Sequence, residues 1–159
     1  RRIFVKKLMH LRYELLSYFN DSDMLPFLKF KQDVPVMRSL WGGLAGGAKY
    51  VETPQVLHTV WQRSDGNVMI IFLNTANSEI SLAPNLPMAG KLAICREGKA
   101  EVDIPAVQAP THLQLNLAPY ASEVWFIGND NETPAKLARK MAEFPTYTTG
   151  KKLIGRNSK

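Results

Sequence analysis

The chain has 159 residues, 45% apolar and 21% charged, the composition of a globular domain long enough to bury a core. No apolar run approaches the roughly 20 residues of a spanning helix, so no membrane span is expected. The net charge of +6 divides into +5 over residues 1–50, −3 over 51–128 and +4 over 129–159. The central region therefore lacks the interleaved cations and exposed aromatics of a nucleic-acid-binding sheet, and no nucleic acid is expected as a partner.

At the N-terminus, Phe4, Leu8, Leu11, Leu15 and Phe19 recur at helical spacing, with Val5, Met9 and Leu16 beside them. The spacing predicts an amphipathic helix over about residues 3–20. Lys6, Lys7, His10, Arg12 and Glu14 interrupt any apolar stretch that a signal peptide would need. No capping residue opens the helix, and the chain lacks an initiator Met. The expectation is a piece of a longer protein, whose helix meets a preceding domain or self-associates through residues 3–20.

"NDSD" ends the helix, and Pro26 and Pro35 make "MLPFLKFKQDVPV" an extended connector leading into a strand near 35–41. Residues 42–47 hold four glycines. A phosphate cradle would continue into Lys-Ser/Thr and a helix, but here Lys49 precedes the extended "YVETPQV", so a loop is predicted.

From residue 55 the apolar period becomes two. "QVLHTVWQ" and "NVMIIFLN" predict strands joined by an Asp65-Gly66 hairpin turn, the second apolar on both faces and hence central. "EISLAP", "GKLAICRE", "AEVDIP" and "THLQLNLA" follow, and "EVWFIG" reads as the closing strand. In "THLQLNLA", Leu113, Leu115 and Leu117 are predicted inward, Gln114 and Asn116 outward. "TPAKLARKMAEF" is a short helix with Thr133 as N-cap and Pro134 at its first position. The fold class is mainly β: an antiparallel β-sandwich of seven or eight strands, with an N-terminal amphipathic helix and a short C-terminal helix. The expected divisions are residues 1–48, helix and connector from a preceding domain; 49–128, the sandwich; and 129–159, a helix with a basic tail.

Chemistry-bearing patterns are sparse. The three histidines are His10 in the helix and His58 and His112 at outward or edge strand positions, and no G-x-S-x-G elbow occurs. Neither H-x-x-x-H nor C-x-x-C is present, so no metal or cofactor is expected. Glu101 and Asp103 read as a solvated strand face, and Cys95 as a buried strand thiol. No catalytic residue is assigned. Trp41, Trp61, Trp125, Tyr50, Tyr120 and Tyr147 remain as flat apolar surfaces, of which Trp41, Tyr50 and Trp61 are the candidate carbohydrate contacts.

The stretch Trp61-x-x-x-Asp65-Gly66 through Asn74, followed by Leu117-x-Pro119-Tyr120 through Val124, carries a resemblance together with the N-terminal helix. Over about residues 8–128 the chain resembles the C-terminal part of bacterial glycoside-hydrolase-like proteins, in which a (β/α)8 barrel precedes an antiparallel sandwich. The resemblance implies that the helix is the last barrel helix and that the sandwich is a non-catalytic accessory domain packed on the catalytic barrel. It implies a periplasmic or secreted setting and carries no catalytic carboxylate over, since those lie on barrel strands outside this chain. An autonomous carbohydrate-binding module and a protein-interaction sandwich without a sugar role are the alternatives.

Overall fold

The computed structural model describes residues 2–41, 49–105 and 113–144, with the backbone alone at residues 2, 3 and 41. The glycine loop expected at 42–47, His112, Tyr147 and the basic tail lie outside the described residues. The element order is α1 (Arg2–Glu14), α2 (Leu16–Asn20), β1 (Ser22–Leu25), β2 (Val36–Trp41), β3 (Lys49–Pro54) and β4 (Val56–Arg63). It continues with β5 (Val68–Asn74), β6 (Ile80–Leu82), β7 (Leu92–Arg96), β8 (Leu115–Leu117), β9 (Ser122–Ile127) and α3 (Glu132–Met141). The fold is mainly β, as the period-two pattern predicts.

β1, β4, β5, β9 and β7 pair in that order, antiparallel throughout, as one five-stranded sheet. Alternation along its strands sends side chains to two different cores. Val56, Val60, Ile70, Phe72, Ile94, Trp125 and Ile127 face the two-stranded β6–β8 sheet, whose Ile80, Leu82, Leu115 and Leu117 complete a sandwich interior together with Leu28. Met69, Cys95, Val124 and Phe126 face the other way, where Leu11, Leu15 and Tyr18 of the N-terminal helices and Leu137, Ala138 and Met141 of α3 cover them. Strands covered on both sides carry apolar residues at every position. That explains the apolar runs Val68–Leu73 of β5 and Val124–Ile127 of β9. β9, expected as the closing strand, is buried at all six positions and lies between β5 and β7.

The hairpin between β4 and β5 turns as its Asp-Gly signal predicts. Gly66 adopts a φ of 86°, and the Asp65 carboxylate accepts the Asn67 N–H at 3.0 Å. Asn74, at the far end of β5, is fully buried. Its amide donates to the carbonyls of Ser78, Leu117 and Ala118, and its oxygen accepts the Ala76 N–H. It ties the main sheet to β8.

Four local expectations change. The helix expected over 3–20 breaks at Leu15, whose N–H is shared between the Leu11 and Arg12 carbonyls at 3.2 and 3.3 Å. Ser22–Leu25, read in sequence as helix end and connector, is the edge strand β1, paired with Val60–Arg63. Thr133 is not the N-cap of α3, which begins at Glu132. The cap is instead supplied by Asp130, whose Oδ1 accepts the N–H groups of Glu132 and Thr133 at 3.1 and 3.0 Å. A carboxylate there meets both the unpaired donors and the positive end of the helix dipole. "AEVDIP" keeps only the bridge between Ile94 and Asp103.

Candidate functional site

Of the three candidate carbohydrate contacts, Trp41 and Tyr50 belong to the β2–β3 ribbon and Trp61 to the five-stranded sheet. Tyr50 stands on the β2–β3 ribbon opposite Leu40, 58% exposed, with the Arg38 guanidinium 4.2 Å from its ring centre. Trp61 lies on the helix-covered face of β4, half-buried, with its ring edge-on to Phe19 at 5.0 Å. Its indole N–H is buried without a hydrogen-bond partner among the described residues. Trp41 ends β2, and its side chain lies outside the described residues. Sugar stacking needs a flat ring face open to solvent; Trp61 is half-buried against Phe19, and Arg38 takes one side of Tyr50.

His58 faces inward, contrary to the outward or edge position expected, because it shares the parity of Val56 and Val60 along β4. Its Nε2 accepts the Leu28 N–H at 2.8 Å, and the rings of Phe27, Phe30 and Phe72 surround it. Burial lowers its pKa from the ordinary 6.5. The neutral imidazole is an acceptor that holds the 26–34 arm over the sandwich interior.

Two buried polar networks had no signal in the sequence. On β9, Glu123 accepts the Trp125 indole N–H at 2.6 Å and the Arg96 Nε at 3.1 Å, and Arg96 also pairs with Asp103. Burial pushes the Glu123 carboxyl above the usual carboxylate range, against the lowering effects of Trp125 and Arg96. Under α1, Lys7 bridges both Glu97 oxygens at 2.7 Å and donates to the Tyr120 carbonyl. Glu97 in turn accepts the Ser122 N–H and hydroxyl at 2.8 and 2.6 Å. Tyr120 takes a φ of 55°, which turns its carbonyl toward that ammonium at the mouth of β9. In both networks each charge is matched by an opposite charge and hydrogen bonds. That is the arrangement of structural ion pairs, whereas a proton-transfer site leaves one group open toward substrate.

Cys95 donates to the Pro134 carbonyl at 3.3 Å, and burial pushes its pKa up to about 12, so it is a packing thiol. A cavity of about 360 Å3 opens between α1 and α3, lined by Lys6, Lys7, His10, Glu14, Lys140, Glu143 and Phe144. It contains no hydroxyl or thiol nucleophile. Of its carboxylates Glu14 pairs with Lys136 at 3.4 Å. Among the described residues no group of three or more His, Cys, Asp or Glu side chains is placed to hold a metal ion. Nor is any described helix long and apolar enough to cross a membrane.

No protein-family model matches the chain, and no curated protein or solved structure is significantly similar to it.

Proposed function

We propose that this chain is the non-catalytic accessory β-sandwich of a glycoside-hydrolase-like protein and packs against its catalytic barrel. The observation that carries the reading is the outer flank of α1. There Val5, Met9 and Tyr13 are more than half exposed, although the opposite flank is fully committed to the sheet. Large apolar side chains left open along one helix mark a contact surface more often than a catalytic one. The engagement of Lys7, Glu97, Arg96 and Glu123 in buried pairs supports the non-catalytic part. Among the alternatives, a carbohydrate-binding module needs at least two open, coplanar aromatics, and the packing of Trp61 under Phe19 argues against it.

Two measurements test this. The purified chain is expected to turn over no member of an aryl-glycoside panel and to migrate unretarded through polysaccharide-containing gels. Turnover lost on mutating one of its own carboxylates would overturn the non-catalytic reading. Retardation lost in Tyr50→Ala would establish the binding module instead. An upstream reading frame that encodes no barrel would sink the accessory assignment.

A further inference from the structure

The cavity of about 360 Å3 between α1 and α3 has a volume in the range that encloses small organic ligands. Spacings of three and four residues set Lys7, His10 and Glu14 along one face of α1, with Lys6 beside them. Lys140, in the last turn of α3, and Glu143 and Phe144 just beyond it form the other wall. This wall has an apolar part. Phe144 is half-buried against the helix-side core, and the aliphatic stems of the lysines add to the apolar surface.

Two of the lining charges are matched from outside the cavity. Lys7 holds both Glu97 oxygens, and Glu14 lies 3.4 Å from the Lys136 ammonium. Lys6 and Lys140 form no ion pair among the described residues, nor does Glu143. Two cations against one carboxylate leave the lining with an unmatched positive charge, and His10 adds an N–H donor.

We infer that this cavity binds a small organic carboxylate, its charged end held by Lys6 and Lys140 and its apolar body lying on Phe144. Such a site is independent of the accessory reading above. A cationic ligand fits poorly, because both ammonium groups repel it and the carbonyls at the end of α3 are engaged. Ala138 accepts the Ala142 N–H, Lys140 the Glu143 N–H, and Met141 the N–H groups of Gly98 and Phe144. A neutral apolar ligand would strip water from the two lysines and return no hydrogen bond. An inorganic anion would leave the Phe144 wall against water. Residues 145–159 carry four Lys/Arg and no Asp or Glu, so the chain's own basic end brings the wrong charge. An acid with an apolar body matches both the cations and the ring.

The test titrates the isotope-labelled full chain with 4-fluorophenylacetate, following the fluorine signal of the probe and the amide signals of the protein. A probe of about ten heavy atoms held in this way should saturate with a Kd of about 1 mM. Amide shifts are expected within 6–14 and 140–144. Acetate, which lacks the body, and 4-fluorophenethylamine, which reverses the charge, should bind at least about tenfold more weakly, the effect of one lost favourable contact. Lys6→Gln with Lys140→Gln should weaken the acid by about the same factor, and Lys6→Arg with Lys140→Arg should retain it. Glu143→Gln should tighten it by removing a like charge. Circular dichroism checks that each variant is folded, and Lys99→Gln, on an exposed turn away from the cavity, should change nothing. Equal binding of the amine, equal binding of acetate, indifference to the Lys6/Lys140 pair, or no saturation would each overturn the site. Shifts confined to residues 145–159 would overturn it in favour of the chain's own basic end as occupant.

Discussion

His58 enters the fold as a neutral acceptor. Protonation would add a donor where the Leu28 N–H already points, and would place a charge among three phenylalanine rings. The folded chain therefore binds this proton more weakly than the unfolded chain, whose imidazole titrates near 6.5. As pH falls below that value the unfolded state takes up the proton first, and stability declines. Above it the contribution is fully present. The denaturant midpoint is expected to be flat above about pH 6.5 and to fall on the acid side, before most carboxylates titrate. His58→Asn, which keeps an acceptor but no titratable group, should flatten that upper part of the acid limb. An acid limb identical in the two proteins would show that His58 is not its source. Gly128 is constrained at the same scale. Its φ of 137° is one that side chains rarely adopt, and an added Cβ would meet the Asn67 carboxamide that accepts the Asn129 N–H.

Among the elements, β8, three residues long like its partner β6, puts two leucines into the core. Its Leu115 and Leu117 are 0% and 1% exposed, Asn116 between them is exposed, and the pairing with β6 sets this register. Leu115→Ala should cost about 2 to 5 kcal/mol, the range for a buried leucine that leaves a cavity. Asn116→Ala, which loses only an exposed bond to Ser81, should stay within about 0.5 kcal/mol. Equal denaturation midpoints for the two variants would place β8 outside the core. The β2–β3 ribbon is the opposite case. Its residues are exposed along both strands wherever their side chains are described, so it obtains little stability from burial in this chain.

At the scale of the whole molecule, α1 is held to the sheet by apolar contact and by one buried ion pair. The Lys7 and Glu97 side chains are 4% and 5% exposed, and the pair joins the helix to the ends of β7 and β9. Taking one partner away leaves the other charge buried. Lys7→Ala should therefore destabilise by about 3 to 5 kcal/mol, whereas Lys7→Met with Glu97→Gln should recover much of the loss. Urea unfolding of the two variants measures this, and amide exchange shows whether α1 opens first. A neutral Lys7→Ala would mean that the helix does not depend on the pair. The same helix presents an uncovered flank, so one element contributes both to the core and to the outer surface.

Periodicity by itself determined that the chain is an antiparallel β protein with helices at its ends, that "NVMIIFLN" crosses the middle of a sheet, and that Asp65-Gly66 turns it. These follow from local geometry, since side chains alternate every two residues in a strand and turns need permissive backbone. Tertiary structure decided what alternation cannot express. It put β9 between two neighbours and recruited Ser22–Leu25 as an edge strand. It also matched Lys7 to Glu97 across 90 residues and Arg96 to Glu123 across 27. Trp61 and Tyr50 were visible as aromatics, but whether a ring faces solvent depends on Phe19 and Arg38 arriving from other elements. Pairings between distant residues depend on how the elements are stacked, and no local pattern in the chain encodes them.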